Sequence, residues 1–202
     1  MSIKELKQNC VVETVIEKSK FICYCFVVHS LQEVETCLSK LENEHIGATH
    51  ICYAYKLLGY EKCSDNGEPQ GTAGKPMLDV IKKKDISNVL VAIVRYFGGI
   101  KLGAGGLVRA YSNCTSNGIE KAGEVVREQC KKISFCVDLD KNKQIGIAKK
   151  LPYVLNTQIA YGENICVSMF VKETDLAKCQ TDLNNIFMTS LNFDVDSNNF
   201  YF

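Results

Sequence analysis

The alternation of apolar and polar positions predicts a mixture of strands and helices along the whole chain. In the first part we expect strands at residues 10–16, 21–28, 50–58, 89–94 and 124–130, and helices at about 31–45, 76–83 and 105–121. The first two strands flank the polar turn Glu17 to Lys20, which is typical of a hairpin. A capping box, Ser30 to Glu33, opens the first helix. The run Val89 to Val94 is apolar throughout, which predicts a strand buried on both faces.

From Lys132 onwards the pattern changes. We expect strands at 133–139, 157–161, 165–171 and 191–195, and helices at 141–151 and from about residue 174. The order βαββαβ within about seventy residues is that of a ferredoxin-like domain. The sequence therefore predicts an α+β protein of two domains, residues 1–131 and 132–202.

The composition is that of an ordinary soluble globular protein. Of the 202 residues, 46% are hydrophobic and 23% are charged. No apolar run approaches the roughly 18 residues that a membrane span requires. The amino terminus is charged and lacks the apolar core of a secretory signal. We therefore expect a cytoplasmic protein without a membrane partner.

The eleven cysteines do not form a recognisable framework. Their number is odd, and no pair has the CxxC spacing that is half of a usual zinc site. We expect buried, reduced thiols, no metal and no cofactor. His50 and Cys52 share one face of a predicted strand, but further ligands or catalytic partners at readable spacing are missing.

Nine of the fourteen glycines lie between Gly59 and Gly106, and eight of these are in two loops, Ser64–Pro76 and Arg95–Arg109. Clustered glycine is costly unless the backbone needs positive φ or a close approach. Each loop runs into a predicted helix, whose free N–H groups and dipole favour an anion. Seven cationic and two acidic side chains lie between Lys75 and Arg109, whereas the whole chain has a net charge of only +1. The pattern predicts a local anion-binding face and argues against non-specific coating of nucleic acid.

The second loop carries most of the candidate binding residues. Its glycines could curl the main chain around a phosphate, although it matches neither the Rossmann nor the Walker A motif. The alternative is a tight loop required for helix–sheet packing. The predicted anion- or nucleic-acid-binding residues are Lys75, Arg95, Tyr96, Lys101, Gly103, Gly105, Gly106 and Arg109.

The first loop supplies the candidates for catalysis, Asp65 and Glu68. Either carboxylate could serve as a general base, but no second group at a suitable spacing makes the reaction more specific. A structural ion pair between Glu68 and Arg95 or Lys75 explains the same residues equally well.

Four ordered segments together resemble the IMPACT/YigZ family: residues 19–22, 49–55, 64–78 (SDNGEPQGTAGKPML) and 94–111 (VRYFGGIKLGAGGLVRAY). The resemblance implies a first domain with the fold of the second domain of small-subunit ribosomal protein S-five. It also implies a ferredoxin-like second domain similar to the last domain of elongation factor G, and a role near translation. The family usually has two aspartates before Gly67, and Asn66 replaces the second, which counts against hydrolysis that needs both.

Two functions follow as hypotheses. The first is a translation-associated regulatory protein that binds RNA, the ribosome or a translation-regulator protein through the glycine-rich basic face. Arg95, Lys101 and Arg109 would contact phosphates, and Tyr96 or Phe97 would stack on a base. The alternative is an enzyme acting on a small phosphorylated or nucleotide substrate, with Glu68 or Asp65 as base or metal ligand.

Overall fold

A computed structural model describes residues 2–202. The chain folds as a two-domain α+β protein whose compact units are Lys4–Val126 and Arg127–Phe202, the latter joined by residues 2–3. The division falls inside one continuous strand, Glu124–Val137. The sequence instead suggested two strands with a boundary near Lys131. Lys131 and Lys132, at the predicted boundary, are accommodated within the strand, where they pair with its neighbour.

The described residues form eleven strands and five α-helices. The strands are β1 (Ser2–Leu6), β2 (Cys10–Ile16), β3 (Ser19–Val27), β4 (His50–Leu57), β5 (Tyr60–Ser64), β6 (Val89–Tyr96), β7 (Glu124–Val137), β8 (Val154–Tyr161), β9 (Ile165–Lys172), β10 (Asp194–Val195) and β11 (Phe200–Tyr201). The helices are α1 (Leu31–Glu44), α2 (Gly74–Lys83), α3 (Gly103–Ala122), α4 (Asn142–Ala148) and α5 (Leu176–Phe187). No helix within residues 2–202 is long and apolar enough to cross a bilayer.

The first unit is an antiparallel sheet covered on both faces. Its strand order is β2-β3-β6-β4-β5. Alternate residues of the central strand β6 face opposite sides: Val91 and Ile93 pack with α2 and α3, whereas Leu90 packs with α1. Every residue from Val89 to Val94 is fully buried. The prediction of a strand buried on both faces is therefore confirmed.

The first hairpin and the cap of the first helix form as the sequence predicted. β2 and β3 form an antiparallel hairpin in which Ile16 lies opposite Ser19. The Ser30 hydroxyl accepts a hydrogen bond from the Glu33 backbone N–H at 3.2 Å, so it caps α1 as expected. The Glu33 carboxylate accepts in return from the backbone N–H of His29 at 2.8 Å.

The topology of the first unit brings the two glycine-rich loops to one edge of the sheet. β4 runs antiparallel to both of its neighbours, so its start lies beside the ends of β5 and β6. His50, the first residue of β4, is opposite Arg95, near the end of β6. The first loop leaves β5 after Ser64, and the second leaves β6 after Tyr96.

The second unit follows the element order β7-α4-β8-β9-α5-β10, as the sequence predicted. β9 pairs antiparallel with both β7 and β8, and β10 pairs with β7. Its core combines sheet residues such as Ile133 and Met169 with the helix residues Ile145 and Leu183.

The expectation that all cysteines are reduced is wrong for two of them. Cys136 on β7 and Cys166 on β9 form a disulfide, with their Cα atoms 4.2 Å apart. They lie directly opposite in the antiparallel register, where side chains of neighbouring strands come closest. Their sequence separation of 30 conceals this pairing in the sequence. In a reducing compartment the same two cysteines would be held as adjacent thiols. The other nine cysteines are free.

Candidate functional site

Glu68 is the centre of a buried polar cluster in the first unit. Its side chain is only 3% exposed. Its Oε1 atom accepts hydrogen bonds from Arg95 Nη1 at 2.5 Å and from the Tyr111 hydroxyl at 2.9 Å. The first glycine loop, strand β6 and helix α3 each contribute one member, so the cluster joins three elements.

Asp65 closes the first glycine loop on itself. Its carboxylate accepts hydrogen bonds from the backbone N–H groups of Gly71, Ala73 and Gly74 at 2.7, 3.0 and 2.8 Å. Burial alone would raise the pKa of Asp65, but these three N–H groups stabilise the carboxylate and the net pKa lies below its usual value. The proposed catalytic role of Asp65 is not supported, because its oxygens are already bound at the start of α2.

Asn66 has a structural role that an aspartate could not fill in the same way. Its side-chain amide donates to the Ile51 carbonyl at 2.9 Å, and its backbone has a φ of 38°. Asparagine tolerates this left-handed conformation better than most residues. An ionised carboxylate has no N–H to donate, so the substitution at this family position adds a bond between the loop and β4.

Arg95 is not a free surface cation, and in this respect the sequence prediction is wrong. The residue is 5% exposed, and its guanidinium carbon lies 5.3 Å from the Phe21 ring centroid and 5.6 Å from that of Phe97. Glu68 neutralises its charge at 2.5 Å. Within residues 2–202, the buried Nε atom of Arg95 has no hydrogen-bond partner. The pair with Glu68 is the structural alternative that the sequence left open.

His50 and Cys52 do not act as a nucleophilic pair. The Cys52 sulfur lies 2.9 Å from the Asp65 carbonyl oxygen and 3.3 Å from the Tyr111 hydroxyl, and its single S–H can donate to one of them at a time. Burial raises the pKa of Cys52 to about 12, against the lowering effect of the Tyr111 bond. A thiol with that pKa is protonated at neutral pH and is a poor nucleophile. No group of three or more metal-ligating side chains occurs within residues 2–202.

The two loops meet at a cavity of about 350 Å³. The first loop contributes Glu68 and Pro69 to its lining, and the second contributes Phe97 and Lys101. His50 also lines the cavity, and its Nε2 atom lies 3.9 Å from Glu68 Oε2. The cavity thus combines apolar walls with a polar end formed by His50, Glu68 and Arg95.

A second cavity of about 470 Å³ lies against the start of α3. Lys101 lines both cavities, and Arg109 lines this one together with Gly106 and Glu17. Lys101 and Arg109 are exposed and have no ionic partner within residues 2–202. We call the surface formed by Phe97, Lys101 and Arg109 the α3 face.

The other predicted binding residues have different positions. Gly103 begins α3 with a φ of 70° and lines the first cavity, and Gly105 is exposed in the first turn of the helix. Lys75 lies on α2 and is paired with Asp79 at 2.8 Å. The Tyr96 hydroxyl is hydrogen-bonded to His45 Nδ1 at 2.8 Å. Neither Lys75 nor Tyr96 lines the two cavities, and Phe97, which is 46% exposed, supplies the accessible aromatic ring.

Some of the glycines serve packing and not a ligand. A Cβ atom on Gly98 would overlap the backbone of Lys18 in the β2–β3 turn. A Cβ on Gly74 would lie 2.8 Å from the Ser64 backbone. The tight-loop alternative therefore explains these two positions.

Tyr111 and Ser19 belong to the site but were not predicted. Tyr111 sits one turn after Leu107 on the buried face of α3, where a tyrosine hydroxyl needs a partner. The position of Tyr111 four residues after Leu107, on the same helix face, is the sequence signal that could have identified it. Ser19 is fully buried, and its hydroxyl accepts from the Gly98 backbone N–H at 3.2 Å. Nothing in the sequence pattern distinguishes this serine from a turn residue.

Comparisons with known proteins agree with the resemblance seen in the sequence. The sequence model of the Impact N-terminal domain matches residues 17–119. IMPACT family member YvyE of Bacillus subtilis (strain 168) is 38% identical over 191 residues, which are 91% of this chain and 86% of the relative. IMPACT family member YigZ of Escherichia coli (strain K12) is 38% identical over 104 residues, 48% of this chain and 50% of the relative.

A crystal structure described as that of a hypothetical protein shares the fold. It matches with a TM-score of 0.69 at 23% sequence identity and covers 98% of both chains. At this identity the likeness concerns the fold alone.

Proposed function

The chain belongs to the IMPACT/YigZ family, and we propose that it is a translation-associated regulatory protein that binds RNA through the α3 face. The ribosome is the natural source of that RNA, and a translation-regulator protein is the other partner that the family resemblance implies. We place this activity in the cytoplasm, where translation occurs.

One observation carries the proposal: Lys101 and Arg109 are exposed cations without ionic partners in the described chain. Lys101 lines one cavity with the exposed ring of Phe97 and the other cavity with Arg109. Cations that lack protein partners are available to phosphates, and an exposed aromatic ring can stack on a base. Arg95, by contrast, contributes structure because Glu68 neutralises it.

The topology of the second unit supports the proposed ferredoxin-like assignment. The pairs β10-β7, β7-β9 and β9-β8 follow the ferredoxin-like order, and β1 and β11 also pair with β7. Helices α4 and α5 both pack on the core built by β7, β8 and β9. We retain the ribosomal-protein-like assignment of the first unit as part of the same proposal.

The test is RNA binding by fluorescence anisotropy over a series of salt concentrations. Reversal of both charges in Lys101→Glu/Arg109→Glu removes two phosphate contacts. We expect weaker binding and a slope of log K against log salt that is smaller by about 1.4 for single-stranded RNA. The matched control is Lys40→Glu/Lys83→Glu, which makes the same charge change at exposed positions of α1 and α2. Equal losses in both variants would overturn the assignment of the face.

A second candidate is an enzyme acting on a small phosphorylated or nucleotide substrate. The observation that favours it is the approach of His50 Nε2 to Glu68 Oε2 at 3.9 Å inside a cavity. A substrate proton placed between them could be removed by either group. Turnover over a panel of phosphoesters and nucleotides, with and without Mg²⁺, tests this candidate. Turnover that is lost in His50→Leu would support it, and a complete lack of turnover would count against it.

A further inference from the structure

The polar end of the first cavity places two acceptors, on His50 and Glu68, beside one another. Arg95 also lines the cavity, but its Nη1 is bound to Glu68 Oε1 and its Nη2 lies 3.4 Å from Ser19 Oγ. His50 Nδ1 lies 2.9 Å from the Asn66 carbonyl, which can only accept, so Nδ1 carries the hydrogen. In the neutral imidazole the lone pair is then on Nε2, which faces Glu68 Oε2 at 3.9 Å. Oε2 has no donor among residues 2–202, because Arg95 and Tyr111 both bind Oε1.

With the imidazole neutral, this geometry fits a ligand that donates two hydrogen bonds from one atom. A nitrogen about 2.9 Å from each acceptor can span their separation. A primary amino group has two such hydrogens, whereas a carbonyl oxygen at the same place would face two acceptors and leave both unpaired.

The walls of the cavity suit a flat, mostly apolar body. Pro69, Leu102 and Leu107 line it together with the half-exposed ring of Phe97. Its volume of about 350 Å³ is within the range of small-ligand sites, about 300–1,000 Å³. Lys101 also lines the cavity, and its ammonium group could bind a phosphate attached to the ligand.

We propose that this cavity receives one nucleobase with an exocyclic amino group, from single-stranded RNA or from a free nucleotide. Resting on the RNA-binding function proposed above, the inference adds base selectivity to it. The amino group of adenine, cytosine or guanine donates to Glu68 Oε2 and His50 Nε2, and the base stacks on Phe97. Uracil, with carbonyl oxygens in place of the amino group, is rejected.

The wild-type protein provides the first test. Labelled oligo(A), oligo(C) and oligo(U) of about ten nucleotides, a usual length for a single-strand site, are compared by anisotropy at one low salt concentration. We expect oligo(A) and oligo(C) to bind about tenfold or more tightly than oligo(U), since buried acceptors stay unpaired with uracil. Equal binding of all three would overturn the base pocket while leaving RNA binding intact.

A variant then locates the preference. His50→Leu replaces the imidazole with an apolar side chain of similar length and so removes the Nε2 acceptor. The preference should fall to about twofold or less, with oligo(U) affinity nearly unchanged. The matched control is His29→Leu, because His29 also lies 3.9 Å from a glutamate, Glu5, but is outside the cavity. A preference that persists in His50→Leu and disappears in His29→Leu would contradict the proposal.

Mononucleotides separate this inference from the proposed function. If no oligonucleotide binds, RNA binding fails, and calorimetry with AMP, CMP and UMP tests the cavity alone. Binding of AMP and CMP but not UMP, lost in His50→Leu, would assign the cavity to a free nucleotide. The absence of any preference among the three, in a protein that binds no RNA, would overturn the inference as well.

Discussion

Glu68 and Arg95 are 27 residues apart in the chain, yet their side chains meet at 2.5 Å in the interior of the first unit. The contact joins the two glycine-rich loops at the level of the sheet. The contact also determines the electrostatics of the site. It neutralises Arg95 in the interior and leaves Glu68 Oε2 facing the cavity.

Removal of one partner of this pair should be more damaging than removal of both. Arg95→Met leaves an unpaired buried carboxylate, and we expect a loss of about 3–5 kcal/mol in the free energy of unfolding. Glu68→Gln/Arg95→Met should lose less than Arg95→Met alone. Urea denaturation of Glu68→Gln, Arg95→Met and the double variant gives the loss in free energy of unfolding for each. If the loss in the double variant equals the sum of the two single losses, the residues are not coupled.

The Asp65 carboxylate should stabilise the fold in a pH-dependent manner. Asp65→Ala removes the acceptor for three N–H groups at the start of α2, at a cost of about 2 kcal/mol near neutral pH. Because the pKa of Asp65 is lowered in the folded state, its contribution is present above the unfolded value of about 4 and is lost as pH falls below it.

Stability curves of the wild type and Asp65→Ala should therefore converge at acidic pH. Asp79→Ala is the control, because within residues 2–202 Asp79 forms an ion pair only with the exposed Lys75. A constant difference between wild type and Asp65→Ala from pH 7 down to strong acid would contradict this account of the loop.

Cys52 should resist alkylation in the folded protein. With its pKa raised to about 12 by burial, the thiol is protonated in the native state at about pH 8. In the unfolded chain the Cys52 thiol ionises above its ordinary pKa. The contribution of Cys52 to the free energy of unfolding therefore falls as pH rises above that value. Mass spectrometry after iodoacetamide treatment should find Cys52 modified in urea and unmodified in buffer. Rapid native modification would disprove its burial against Tyr111.

Gly98 should tolerate no side chain. A Cβ there overlaps the Lys18 backbone, so Gly98→Ala must move the β2–β3 turn, at an expected cost of at least about 2 kcal/mol. Gly47→Ala is the control, since a Cβ at that position meets nothing within 4 Å. Thermal unfolding compares the two, and equal melting temperatures would show that the loop is not packed against the turn.

The elements with strong local signals could be predicted, whereas those defined by pairing could not. The β2–β3 hairpin and the capped helix α1 follow from periodicity and a capping box. β5 was missed because Tyr60, Glu61 and Lys62 are exposed on an edge strand and lack an apolar pattern. β11 was missed because it is two residues long and depends on β7 for its hydrogen bonds.

The candidate site was predicted in outline. The sequence indicated that the glycine-rich loops carry it, and the pair of Glu68 with Arg95 was one of two open alternatives. The pairing of Lys75 with Asp79 is a local i,i+4 contact that the spacing could have indicated. The pairing of Arg95 across loops depends on tertiary contacts that periodicity does not contain. The disulfide between Cys136 and Cys166 depends on the register of β7 and β9, which the sequence pattern does not contain either.

The central claim is that RNA binds at the α3 face, and crosslinking tests it most directly. RNA bound at low salt is crosslinked by ultraviolet light, and the modified peptides are identified by mass spectrometry. The account predicts crosslinks within residues 97–109, with Phe97 as the principal site, and their loss in Lys101→Glu/Arg109→Glu. Crosslinks confined to residues 127–202, unchanged in that variant, would contradict it.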